Sequence, residues 1–253
     1  GPARFVSGAT DLGLDVTQRF ARFPLLIDLG ALPEMRSIRT IDGGWRIGAG
    51  VVLSDLEAWS GTTNPAMAKM LRFFASRQIK NRATIGGNLC NASPIGDLPP
   101  VMLALDAVAI VRSKDGERKV PFGGEGLDGF WTAYRTTALQ PGEVLSAIEV
   151  PAIGSDTYVT SYKVSKRREL DISAVAGSFA VRTNQDGVID HIRLAFGGMA
   201  ATPARARRTE NILFGKPITD STIDHAITTL SRDFSPIDDH RSTAWYRGHV
   251  AAN

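Results

Sequence analysis

A single cysteine, Cys90, serves a chain of 253 residues. One thiol cannot form an internal disulfide, ligate an iron–sulfur cluster or build a Cys-rich zinc site, so all three are excluded within this chain. A lone thiol fits a reducing compartment. Apolar runs are short as well: none approaches the ~20 residues that a membrane span requires. The opening GPARFVSG lacks the basic region and apolar stretch of a secretory leader. A cytoplasmic protein with no membrane partner is expected. Charge of one sign is also scarce, 29 Lys and Arg against 26 Asp and Glu, a net +3. The basic residues are scattered. Their two clusters are Lys166-Arg167-Arg168, followed at once by Glu169 and Asp171, and Arg205-Ala206-Arg207-Arg208. Nothing resembles the one-faced basic stripe with stacking aromatics of a nucleic-acid binder, so no nucleic-acid partner is expected. The four histidines (His191, His225, His240 and His249) come late and lack metal-ligand spacing. There is no G-x-S-x-G elbow, no Walker A Gly-Lys-Ser/Thr and no Rossmann G-x-G-x-x-G. With no metal set and no evident nucleophile, redox chemistry here would need a bound organic cofactor such as a flavin.

What is present is an ordinary folded composition, 43% apolar and 22% charged, long enough to bury the core of one large domain or two modest ones. Residues 4–7 read as a strand. Leu12, Val16, Phe20 and Phe23 then fall at helical spacing, stopped by Pro24, and residues 25–28 read as a second strand. Two strands over 35–41 and 45–49 flank Asp42-Gly43-Gly44, a hairpin signal. Ser54 suits a helix cap. Pro65 suits the first turn of another helix, with Met67, Met70, Leu71 and Phe74 on one face. After Pro99-Pro100 come a short helix, a strand over 107–112 and another over 144–150. The breakers and polar residues of 151–156 mark the best domain boundary, giving units 1–151 and 156–253. The second unit shows strands over 158–164, 174–182 and 188–196, then helices over 204–214, 221–230 and 244–252. Strands followed by helices predict an α+β fold. The start so near a strand reads as a domain cut from a longer chain, with Gly1-Pro2 either native or a cloning remnant.

Two glycine-bearing stretches carry the candidate chemistry. In SGATDLG (7–13) a strand turns into a helix, which points free backbone amides at the turn and suits an anion such as pyrophosphate. A plain strand-turn-helix corner explains the same residues. In TIGGNLCNASPIGD (84–97), Gly86-Gly87 permits close approach to the backbone. Thr84 and Asn88 offer donors, and successive amides could form an anion-binding nest. Asp97 is an N-cap or an acceptor for hydroxyl or ring N–H groups. The stretch reads as a loop, long enough to suggest function. Two amide-presenting segments would suit a dinucleotide. The charged run around 165–171, beyond Lys163 in a strand, is a solvated loop or the rim of a pocket.

Together SGATDLG, LRFFASRQIKNRATIGGNLCNASPIGDLPPVMLALDA, EVLSAIEVP, YKVSKRRELDISAV and STAWYRGHVAAN resemble the flavin domain of xanthine dehydrogenases, the FAD-binding portion of the molybdenum hydroxylase family, most nearly its bacterial small-subunit form. The resemblance covers nearly the whole chain. It implies a two-part FAD-binding domain, a small α/β piece and an antiparallel sheet, followed by a C-terminal α+β domain of the CO dehydrogenase flavoprotein kind. Phe5, Val6, Ser7, Gly8, Ala9, Thr10, Asp11 and Leu12 would wrap the FAD pyrophosphate. Thr84, Ile85, Gly86, Gly87 and Asn88 would close on it from the other side. Phe74 would pack near the isoalloxazine, Asp97 would contact the cofactor and Lys163 would lie near the ring. Cys90 would be a small buried side chain nearby. The 165–171 loop would border the face where NAD approaches. Some relatives carry an acid where this chain has Leu170, which leaves open the choice of NAD over oxygen. The implied activity is that of an FAD-dependent oxidoreductase component: electrons from xanthine or hypoxanthine, taken at a molybdenum cofactor, pass through [2Fe-2S] clusters to FAD and on to NAD. The clusters would lie on another domain of the same native chain and the molybdenum on a large subunit, making a hetero-oligomer. A flavin subunit for carbon monoxide, an aldehyde or an aromatic acyl-CoA, or a flavin-free assembly module, are the alternatives.

Overall fold

The computed structural model describes residues 3–124 and 129–253; Gly1-Pro2 lies outside the described residues. Strand β1 (Arg4–Val6) leads into helix α1 (Leu12–Arg19), and strand β2 (Leu26–Asp28) returns parallel to β1. The helix stops well before Pro24, because Phe20 takes a left-handed conformation (φ 53°) and its N–H closes on the Asp15 carbonyl. No side chain of α1 is buried.

Two 3-10 turns, Leu29–Ala31 and Pro33–Arg36, follow. The second replaces the first half of the strand expected over 35–41. Pro33 starts that turn, which buries Met35 and brings its carbonyl to the Gly50 N–H at 2.7 Å. The five-stranded antiparallel sheet that comes next has the order β3 (Ile38–Ile41), β4 (Gly44–Gly48), β9 (Val144–Pro151), β5 (Val108–Ser113) and β6 (Gly116–Pro121). Strand β6, GERKVP, is an exposed edge and escapes a hydrophobic-pattern reading. Its charges pair across the sheet, Glu117 with Arg46 at 2.6 Å and Lys119 with Glu149 at 2.6 Å. A small hairpin joins β7 (Trp131–Ala133) to β8 (Thr136–Thr137).

Between β4 and β5 the chain makes five helices: α2 (Leu53–Thr63), α3 (Pro65–Arg72), α4 (Arg77–Lys80), α5 (Ile85–Cys90) and α6 (Leu98–Ala104). Ser54 does not cap α2. That helix begins at Leu53, whose N–H donates to the Ala83 carbonyl at 2.8 Å. Pro65 does open α3, behind an Asn64 cap that accepts from the Met67 N–H at 3.0 Å. All seven residues of α6 are buried, as expected of a helix apolar on every side.

The second sheet contains β10 (Thr157–Val164), β11 (Val175–Thr183), β12 (Ile189–Gly197) and β13 (Ala204–Arg205), all antiparallel. The helix expected over 204–214 starts later, since Ala204 and Arg205 pair with β12 before α7 (Arg207–Leu213) begins. Helices α8 (Asp220–Leu230) and α9 (Ala244–Ala252) complete the chain. Helix α6 packs on β11 and β12, α3 on β10, and α5 on β9. One core therefore joins Ile47, Ala109 and Ile148 of the first sheet to Val159, Ala176 and Ala195 of the second. The layered α+β architecture is the fold class expected from sequence. Among the described residues no helix is long and apolar enough to cross a membrane.

Asn64 is buried and carries the only side-chain cap on α3. Asn64→Ala should lower unfolding stability by about 1 kcal/mol, the usual value of such a cap, read as a lower urea midpoint at unchanged slope.

Candidate cofactor site

After β1 the backbone bends through residues 7–11 before α1 begins. Gly8 lies flat on the backbone of Arg82 and Ala83, and a Cβ there would fall far inside contact distance of the Arg82 carbonyl. Ala9 follows in the left-handed region (φ 60°). Among the described residues, the N–H groups of Ser7, Gly8, Ala9, Thr10 and Asp11 make no intramolecular hydrogen bond. Consecutive unpaired amides around a left-handed residue form a concave surface of partial positive charge, a seat for phosphate oxygens.

That surface is one wall of a cavity of about 390 Å³, lined by Phe5, Val6, Ser7, Gly8, Ala9, Thr10, Asp11 and Leu12. Phe74, Ala75 and Ile79 line it further, and Ala83, Thr84, Gly87 and Asn88 close it. The 84–97 stretch is not one loop, as its composition suggested. Its first part is α5, capped by Thr84, whose hydroxyl accepts from the Gly87 N–H at 3.1 Å. The amide nest expected there is absent, because each amide from Ile85 to Asn88 already has a partner. Ile85 N–H donates to Val51 O at 3.0 Å, Gly86 N–H to Ala49 O at 2.8 Å and Asn88 N–H to Thr84 O at 3.0 Å. Ile85 and Gly86 are buried and do not line the cavity. A Cβ on Gly86 would lie 2.6 Å from the Ala49 Cβ and 2.7 Å from its carbonyl, so this glycine permits backbone packing. Gly87 is the one that faces the cavity. Asn88 contributes a buried side-chain oxygen, Oδ1, with no partner.

A second cavity of about 440 Å³ shares Asp11, Phe74, Ala75 and Ile79 with the first, so the two form one cleft. Asp97 and Lys163 stand in its wall, both buried, with Nζ 2.7 Å from Asp97 Oδ2. Lys163 Nζ also donates to the Phe73 carbonyl at 3.2 Å, and the Ser173 hydroxyl donates to Asp97 Oδ1 at 2.5 Å. Asp97 stands at the start of α6 without capping it through its side chain. Both of its oxygens are engaged by protein donors. The 165–171 loop borders this cavity through Leu170 and Asp171, Leu170 being left-handed (φ 55°) and exposed. The Arg167 N–H, 2.8 Å from Asp171, holds that carboxyl below its usual range. Sequence reading missed Ala75, Ile79, Ser173 and Arg241 in these walls. Ala75 is left-handed (φ 42°) without a glycine to announce it, and Ser173 looks like any residue leading into a strand. Cys90 packs beside the main core, and burial pushes its thiol up to about 12. Among the described residues, no three His, Cys, Asp or Glu side chains are placed to hold a metal ion.

The geometry is that of a cleft with a row of unpartnered amides at one end and an apolar floor with a buried ion pair at the other. Residues 1–153 match the model of the FAD binding domain in molybdopterin dehydrogenase. The chain belongs to that family. Residues 160–253 match the CO dehydrogenase flavoprotein C-terminal domain. The xanthine dehydrogenase of Emericella nidulans is 34% identical over 246 residues, which is 92% of this chain and 18% of the relative. The glyceraldehyde dehydrogenase medium chain of Sulfolobus acidocaldarius is 33% identical over 89% of this chain and 78% of its own length. Among solved structures, a carbon monoxide dehydrogenase from Hydrogenophaga pseudoflava aligns with a TM-score of 0.91 and 30% identity, covering 99% of this chain and 85% of that one. The chain thus spans about a fifth of the xanthine dehydrogenase and most of the glyceraldehyde dehydrogenase medium chain and of the aligned carbon monoxide dehydrogenase chain.

Gly86→Ala should destabilise the fold by about 1–3 kcal/mol, the cost of overpacking a tight site, seen as a lower denaturation midpoint. The Cys90 thiol, raised by burial, stays protonated at neutral pH, so an aromatic disulfide reagent should react slowly with the folded protein and at once in denaturant.

Proposed function

We propose that this chain carries FAD in the cleft between the 7–11 turn and α5, and passes electrons from an iron–sulfur relay to NAD in a xanthine-hydroxylating enzyme. The row of unpartnered amides at Ser7–Asp11 carries this reading. In it, those amides hold the pyrophosphate. Thr84, Gly87 and Asn88 close the opposite wall, with Gly87 leaving room for the phosphates and Asn88 Oδ1 accepting from a ribityl hydroxyl. Phe74, on the floor shared by both cavities, packs against the flavin ring. Asp97 and Lys163 flank the ring, Asp97 acting mainly through Lys163 and Ser173 because its oxygens are already engaged. Ile85 and Gly86 shape the wall from behind.

FAD, when bound, supplies the conversion between single electrons and a hydride-equivalent pair. The protein's own part is to bind and orient it, to keep an apolar floor beneath it and to leave one face open beside the 165–171 loop. One cysteine cannot ligate a cluster, so electrons must arrive from [2Fe-2S] centres on another domain, and the molybdenum cofactor from a partner subunit, in a cytoplasmic hetero-oligomer. Residues 1–151 and 156–253 would then act as the FAD-binding and closing units. The xanthine dehydrogenases among the relatives support purine as the electron source. The similar identity to the glyceraldehyde dehydrogenase medium chain supports a second reading, with an aldehyde as the electron source.

Titrating the full chain with FAD should quench flavin fluorescence to a one-to-one end point. Gly87→Leu should remove that binding while leaving the circular dichroism spectrum unchanged. A wild-type chain that takes up no FAD would refute the reading, and a Gly87→Leu chain that binds normally would remove α5 from the site. In the assembled enzyme, NAD reduction driven by xanthine rather than by an aldehyde would decide between the two electron sources.

A further inference from the structure

Arg247, on α9, is 1% exposed, more deeply buried than any other charged side chain among the described residues. Its Nη1 donates to the Ala174 carbonyl at 2.5 Å and to the Gly198 carbonyl at 2.9 Å, and its Nη2 donates to Asp239 at 2.8 Å. Its Nε is buried without a partner. A cation enclosed in this way is costly to bury, and an apolar residue would fill the space at less cost. Its contacts indicate what it does there.

Both carbonyls belong to the frame around Asp97. Ala174 directly follows Ser173, whose hydroxyl donates to Asp97. The Gly198 N–H donates at 2.8 Å to the carbonyl of Pro94, in the segment that runs into Asp97. Gly198 is left-handed (φ 83°), and a Cβ there would strike the Ala174 carbonyl and lie 2.9 Å from Arg247 Nη1. Two backbone segments therefore meet at one guanidinium, the Ala174 segment carrying Ser173 and the Gly198 segment bonded to Pro94, and both lead to Asp97. Asp239, the third partner, also accepts from the N–H groups of Arg241 and Ser242 at 2.8 and 3.0 Å, fixing the turn that brings Arg241 to the cleft wall.

We infer that Arg247 is a positioning residue for the buried Lys163–Asp97 pair: α9 acts through it to hold Ser173 and the 94–97 segment in register. The positioning is a property of the protein alone. Its effect on flavin rests on the function proposed above.

Trace acetylation of the full chain without FAD, read lysine by lysine by mass spectrometry, tests it. Lys80 is the internal reference. Its side chain is 9% exposed and lies 2.7 Å from Glu57, against 5% and 2.7 Å for Lys163, and among the described residues it bonds only Glu57 and the Leu71 carbonyl. In Arg247→Gln, Lys163 should label about tenfold faster, the effect of losing roughly 1.4 kcal/mol of protection, with Lys80 unchanged. Arg247→Lys should fall between. FAD should bind about tenfold more weakly to Arg247→Gln, with a displaced flavin absorption band. Unchanged labelling at both lysines would overturn the inference, since the pair would then hold itself. A joint rise would overturn it too, because Arg247 would then serve only global stability. Should neither Arg247 variant fold, Ser173→Ala cuts the same link nearer Asp97 and must expose Lys163 alone, or the inference fails. A wild-type chain that binds no FAD would sink the flavin reading and leave the labelling result standing.

Discussion

Everything in the cleft depends on how closely two stretches of backbone can approach at Gly8. The β1–α1–β2 piece has little hold on the rest of the protein: its helix buries nothing and its strands are largely exposed. It meets the body where Gly8 lies against the carbonyl of Arg82 and where Asn91 donates to Asp11 at 3.3 Å. A side chain at position 8 would push the 7–11 turn away from α5 and separate the two walls of the first cavity. The width of the first cavity is thus set by the absence of one methyl group, and chain connectivity brings Thr84 and Gly87 opposite the 7–11 turn.

The other end of the cleft is held by charge. Lys163 comes from β10 and Asp97 from the start of α6, so their bridge ties the second sheet to the helical layer. Buried pairs of this kind contribute little net stability, but they are severe about geometry, because either partner left alone costs several kcal/mol. The pair is bonded on all sides by Phe73, Ser173 and each other. It presents a nearly neutral polar surface beside an apolar floor.

The sequence shows most of the elements and half of the site's logic. Strands with alternating burial and helices with capping residues are visible locally, as at Asn64-Pro65 and Asp42-Gly43-Gly44. The turn at 7–11 is also local chemistry, a glycine and a short strand before a helix. The Gly87 and Asn88 amides of α5 are taken up locally by Thr84, but whether those of Ile85 and Gly86 are free depends on Val51 and Ala49, more than thirty residues earlier, and no local pattern records that pairing. Strand β6 was hidden because an edge strand needs no apolar face. Arg247 was hidden because a basic residue in a helical pattern ordinarily reads as solvated, and its burial follows from three distant carbonyl and carboxylate groups.

Helix α1 has a thermodynamic consequence of its own. Eight residues are too few to stay helical in water unaided, and no buried side chain holds them to the core. Such a segment sits at the low end of the local stability scale, opening far more often than the sheets behind it. Anything negatively charged that settles on the amides leading into α1 binds the closed form and not the open one, so its binding energy becomes folding energy for this piece. Occupancy of the cleft and order in the β1–α1–β2 piece are therefore one equilibrium.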